Sequence, residues 1–90
     1  MGYKVLVTLD LPDASDDQRN AFYDVLTNEK WTKINSLTTA WKVSFKDNVE
    51  RDSAIMTLKN HLQKAKTESK LKKVEYAIQM NKLDIIISTL

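Results

Sequence analysis

From Tyr3 to Leu90 the chain contains no glycine; its single glycine is Gly2. Gly-rich phosphate loops, dinucleotide fingerprints and nucleophile elbows all need glycine at fixed offsets, so none can be built after the second residue. Chain reversals are read instead at Pro12 and at Asn28, Asp47-Asn48 and Asn81-Lys82, because proline interrupts a strand ladder and asparagine tolerates left-handed backbone. The absence of cysteine removes disulfides, thiolate metal sites and thiol nucleophiles. Ninety residues make a single domain, residues 1–90. A domain this small buries only about 60–65% of its unfolded surface, so one core must carry nearly all its stability.

The hydrophobic pattern orders the elements. Tyr3, Val5, Val7 and Leu9 share one parity, the signature of a strand. Ser15 and Gln18 are spaced as a capping box, with Asp16 and Asp17 in the first turn of a helix whose buried stripe is Phe22, Val25 and Leu26 and which ends near Asn28. Trp31–Ile34 and Thr39–Lys46 read as two strands joined through Asn35-Ser36-Leu37-Thr38, with Trp41, Val43 and Phe45 facing the core. A second helix runs roughly from Glu50 to Lys66 on a stripe of Ala54, Ile55, Leu58, Leu62 and Ala65. Lys66–Lys73 reads as helix end and loop. Val74, Tyr76, Ile78 and Met80 alternate in a fourth strand, and Asp84–Ser88 is a short fifth strand or strand-like tail. This order predicts an α+β fold, a ferredoxin-like β-α-β-β-α-β sandwich with an added C-terminal strand.

The net charge of +2 conceals an uneven distribution: residues 1–29 carry −4 and residues 30–90 carry +6. Two groups of residues follow from it. Asp10 closes the first strand, where the sheet rather than a mobile loop would hold its carboxylate. It is the candidate catalytic residue and the candidate Mg²⁺ ligand, since Mg²⁺ is bound by one or two carboxylates plus waters and phosphate oxygens. One aspartate is half a site, which a symmetric dimer would complete. The competing role is structural, with Asp10 bonded to amides of the Leu11–Ala14 turn. The second group is basic: Lys42 and Lys46 on one strand face, joined by Lys33 from the neighbouring strand, and Lys70, Lys72 and Lys73 before the fourth strand. Such lysines can neutralise phosphates of RNA or DNA, or form ordinary solvated surface. His61, the only histidine, flanks the stripe of the second helix; alone it makes no metal site, and it reads as a boundary residue.

Val5-Leu6-Val7-Thr8-Leu9-Asp10-Leu11, Asp16-Asp17-Gln18-Arg19-Asn20, Phe22 through Leu26, and Trp31-Thr32-Lys33 before a hairpin resemble the small CRISPR-associated endoribonuclease family. The same pattern is similar to that of the virulence-associated protein D interferases and the GhoS-type antitoxin ribonucleases. The resemblance covers about half the chain. It implies a ferredoxin-like protomer that dimerises, a last strand able to cross to the partner, and a metal-binding role for Asp10. Arg19 and Ser36 fall near polar or basic positions of the family. Ser36-Leu37-Thr38-Thr39-Ala40-Trp41 departs from its serine-valine-aromatic-glutamate hairpin pattern.

The expected function is that of a small homodimeric nucleic-acid-acting protein, a Mg²⁺-dependent endoribonuclease of CRISPR-associated or toxin–antitoxin type. The alternative is a non-catalytic interaction module on the same fold: an antitoxin, phage regulator or assembly subunit. The longest strictly aliphatic run, Ile85-Ile86-Ile87, is far short of the roughly 20 residues that span a bilayer. A soluble, cytoplasmic protein without membrane contact is expected.

Overall fold

A computed structural model describes residues 2–37 and 39–90; Thr38, expected in the hairpin connection, lies outside them. The elements are β1 (Lys4–Asp10), α1 (Asp16–Asn28), β2 (Thr32–Lys33), β3 (Ala40–Ser44), α2 (Arg51–Ser69) and β4 (Glu75–Asn81). The four strands form one antiparallel sheet in the order β2-β3-β1-β4. Val5, Val7 and Leu9 of β1 and Trp41 and Val43 of β3 are buried with Phe22, Val25 and Leu26 of α1 and Leu58, Leu62 and Ala65 of α2. One sheet face thus meets the two helices, as the period-2 and period-3.6 stripes predict. Among the described residues no helix is long and apolar enough to cross a membrane.

The capping box at the start of α1 is complete: the Ser15 hydroxyl accepts from the Gln18 amide at 3.1 Å, and Gln18 Oε1 accepts from the Ser15 amide at 3.0 Å. Gly2 is required by a close approach, because a Cβ there would lie 1.8 Å from the Phe45 carbonyl oxygen.

With no other glycine available, left-handed backbone falls on Asp13 (φ 59°), Lys30 (φ 71°) and Lys70 (φ 61°). Each lysine follows a helix end. The next amide reaches back five residues: Trp31 N–H to the Leu26 carbonyl at 3.0 Å, Leu71 N–H to the Lys66 carbonyl at 3.3 Å. Trp31 and Leu71 then bury their side chains, the hydrophobic contact that accompanies this type of helix stop. The left-handed position is therefore Lys30 rather than Asn28, and α2 runs three residues past the expected Lys66. Since left-handed backbone costs an L-residue about 1–2 kcal/mol, and glycine carries its own ordering entropy, Lys30→Gly is expected to stabilise the fold by about 0.5–1 kcal/mol. Urea denaturation would measure the gain, and a loss would show that the Lys30 side chain contributes more than its backbone costs.

Asp84–Ser88 does not form the expected fifth strand. After Asn81 the chain turns, and Asp84, Ile85 and Ile87 line a hollow with Lys4, Lys42, Val43 and Ser44. The tail thus lies against β1 and β3, each already flanked by strands on both sides, where no free ladder edge remains to pair with. Leu83, Ile86 and Leu90 are left exposed.

Candidate functional site

Asp10 is the last residue of β1, held in register opposite Glu75 of β4. The chain beyond it is anchored by buried Leu11 and turned through Pro12 and Asp13, with the Ala14 amide donating to the Leu11 carbonyl at 3.3 Å. The turn is therefore closed by main chain. Asp10 itself is exposed and has no hydrogen bond or ion pair among the described residues, so its carboxylate is not consumed by the turn.

Asp10 lines a cleft of about 460 Å³ together with Leu9, Leu11, Arg19, Tyr23, Lys33 and Thr39. Arg19 and Tyr23 are four residues apart on α1 and so share a helix face. Arg19 is held by Asp16, Nη1 to Oδ1 at 3.0 Å. Tyr23 is braced from behind by Trp41, ring centroids 5.3 Å apart. Lys33 reaches the cleft because it is the register partner of inward-facing Trp41. This corrects the expectation that Lys33 joins Lys42: the residue opposite Lys42 is Thr32, and a one-residue offset moves a side chain to the other sheet face.

The remaining lysines divide between two regions. Lys70, Lys72 and Lys73 surround a second hollow of about 340 Å³ with Pro12, Asp13, Gln18 and Leu71, tied to α1 by the Gln18 Nε2 bond to the Lys70 carbonyl at 3.3 Å. They stand at the Asp10 end of the sheet. Lys73 pairs with Glu75 at 2.9 Å; that bond, then the charge of Glu75, with a smaller contribution from Asp10, holds its ammonium above the ordinary lysine range. Lys42 is opposite Leu6 on the outer face. Lys46 lies beyond β3, next to Phe45, whose amide donates to the carbonyl of Tyr3, the residue before β1. Lys42 and Lys46 are thus separated from the Asp10 cleft.

Three residues around Asp10 were not singled out by the sequence as its companions: Arg19, Tyr23 and Glu75. The i,i+4 spacing links the first two, while Glu75 becomes a neighbour only through the β1–β4 register. Among the described residues no group of three or more His, Cys, Asp or Glu side chains could hold a metal ion. Asp10 and its register partner Glu75 are two carboxylates at one end of the β1–β4 ladder, Glu75 Oε1 being paired with Lys73 at 2.9 Å; Mg²⁺ takes one or two carboxylates supplemented by water and phosphate oxygens.

His61 has a structural environment. Trp31 Nε1 donates to His61 Nδ1 at 2.9 Å, which requires the imidazole proton on Nε2, 3.1 Å from Glu29 Oε2. Lys64 Nζ bonds the other Glu29 oxygen at 3.1 Å. Both ring nitrogens are engaged, and the cluster ties the end of α1 to α2. The Lys64 hydrogen bond, followed by the electrostatic pull of the His61 Nε2–H group and of the Lys64 ammonium, holds the Glu29 carboxyl below the usual carboxylate range. A depressed carboxyl stabilises the fold above its unfolded pKa of about 4.3 and stops doing so as pH falls through the folded value. The stability difference between wild type and Glu29→Gln is therefore expected to be present at neutral pH and to vanish in acid below that window. Denaturation at neutral and strongly acidic pH checks it; a difference unchanged by pH would exclude the charged network.

No family model and no curated protein matches the chain. Among solved structures it is similar to the crystal structure of protein SP2199 from Streptococcus pneumoniae, with a TM-score of 0.58 and 20% sequence identity over 94% of this chain and 90% of that one. At this identity the likeness extends to the fold alone.

Proposed function

We propose that the chain is a protomer of a homodimeric, Mg²⁺-dependent endoribonuclease on a ferredoxin-like fold, with Asp10 at its centre. The observation that carries this reading is an exposed carboxylate, free of hydrogen bonds and ion pairs among the described residues, in one cleft with Arg19 and Lys33. The strand order β2-β3-β1-β4 supports the ferredoxin-like assignment, and the first-strand aspartate supports the resemblance to the small CRISPR-associated endoribonucleases. Asp10 and Glu75 would hold the ion, which when bound supplies Lewis acidity and an activated water. Arg19 and Lys33 would hold the phosphodiester against that position, and Lys70, Lys72 and Lys73 would attract the flanking backbone. A second copy would bring a second Asp10, and exposed Leu83, Ile86 and Leu90 offer it apolar surface. The test is metal-supplemented RNA cleavage by purified wild type and Asp10→Asn, with cleavage expected only from the former.

The exposed tail also favours a second reading, a non-catalytic protein-interaction module. Salt-titrated RNA and DNA binding separates the two. The nuclease needs affinity that falls steeply with salt, whereas the module binds little nucleic acid at any salt.

A further inference from the structure

We propose that the Asp10 cleft takes one unpaired nucleotide of a single strand, its base against Tyr23 and its phosphate between Arg19 and Lys33. The inference rests on the reading of this cleft as a site acting on nucleic acid and adds what part of the nucleic acid enters it. The cleft's volume of about 460 Å³ lies within the range of pockets that enclose small ligands, about 300–1,000 Å³. Leu9 and Leu11, almost wholly buried, give the cleft apolar edges beside Tyr23, which suit a base better than a hydrated backbone. Tyr23 is the cleft's aromatic residue. Its ring is fixed before any ligand arrives, packed on Trp41 at 5.3 Å and edge-on to Phe22 at 6.4 Å, so stacking costs little side-chain entropy. Both Trp41 and Phe22 are essentially inaccessible to solvent, which makes the support rigid.

The cations complete the recognition of a nucleotide. Arg19 is oriented by Asp16 through Nη1, and its other guanidinium N–H groups remain for a phosphate. Lys33 has no ion pair among the described residues. Aromatic and cationic side chains lining one groove are the combination by which single strands are bound without sequence preference. A duplex does not suit it, because paired bases are stacked on their neighbours and must first be extruded to expose a face.

Stacking and phosphate contacts respond differently to salt, and the test uses that difference. Binding of a labelled eight-nucleotide oligouridylate and of a hairpin duplex RNA is measured by anisotropy across a salt series, in EDTA so that no cleavage intervenes. Wild type is expected to bind the single strand at least about tenfold more tightly than the hairpin. Tyr23→Leu is expected to lose about tenfold or more in single-strand affinity with an unchanged salt slope. Lys33→Gln is expected to lower that slope by about 0.7, one phosphate contact on a single strand. Tyr23→Phe keeps the ring and should keep the affinity. Should Tyr23→Leu fail to fold, the wild-type protein still answers: uridine monophosphate must shift the Tyr23 ring resonances, and inorganic phosphate alone must shift them far less. Equal affinity for hairpin and single strand, a Tyr23→Leu variant within twofold of wild type, or unmoved Tyr23 resonances would each overturn the proposal. RNA that binds without involving Tyr23 refutes this inference alone, whereas failure to bind RNA at all refutes the nucleic-acid reading beneath it.

Discussion

Phe22→Ala is expected to remove about 3–5 kcal/mol of stability, the cost of deleting a fully buried aromatic ring and leaving a cavity behind. Phe22 has no solvent exposure and packs edge-on to Tyr23, with ring centroids 6.4 Å apart. It lies in the core cluster with residues from β1, β3 and α2, so the cavity opens where all the layers meet. A domain of this length has about 5–13 kcal/mol in total, and the loss takes a large fraction of it. Urea denaturation of the two proteins measures the effect. Met56→Ala is the matched control, since Met56 on α2 is 60% exposed and surface changes of this kind stay within about 0.5 kcal/mol. A Phe22→Ala variant within 1 kcal/mol of wild type would mean that the core is not organised around this ring.

What makes Phe22 matter was legible in the sequence. Phe22, Val25 and Leu26 recur at helical spacing, and the capping box at Ser15 and Gln18 sets where the helix begins. Both are local patterns, and the described helix obeys them. The alternation of Trp41 and Val43 likewise assigned their face correctly, because strand parity needs no knowledge of the partner. Features that depend on a partner were not legible. The tail residues Ile85–Ile87 favour a strand locally, yet a strand requires a free edge, and the tail lies against two strands that have none. Lys33 belongs to a two-residue strand, too short for its own alternation to show, so its face is decided by register with Trp41. The end of α2 inside a lysine-rich run depends on burial of Leu71 after a left-handed Lys70, and nothing in the run itself marks that position.

The same distinction runs through the candidate site. Asp10 could be found because it ends a strongly alternating strand before a proline turn. Its companions could not, because they come from packing: Arg19 and Tyr23 through α1 lying on the sheet, Glu75 through the β1–β4 ladder. The lysines divided for the same reason. Lys33, Lys70, Lys72 and Lys73 share the Asp10 end of the sheet, while Lys42 and Lys46 share only a parity with one another.

Asp10→Asn is expected to abolish Mg²⁺-dependent RNA cleavage, a loss of at least about 100-fold, while leaving the fold as stable as before. The side chain keeps its shape but loses the charge that a hard divalent cation needs, so activity disappears without a change in volume. Stability is expected to be retained. Asp10 makes no hydrogen bond that the variant would break. It stands directly opposite Glu75 across the β1–β4 ladder, where like charges oppose folding, but Lys73 pairs with Glu75 and is also drawn by Asp10, so the repulsion is offset. Removing the Asp10 charge loses the attraction to Lys73 along with the repulsion from Glu75 and should leave Tm about where it was. RNA binding without metal should tighten too, because the cleft keeps Arg19 and Lys33 and loses its anion. An aspartate that anchored its own turn would give the reverse, with Tm lowered and binding untouched. Cleavage, melting and binding measured on one variant therefore separate a catalytic carboxylate from a structural one, and undiminished cleavage by Asp10→Asn would eliminate Asp10 as the catalytic centre.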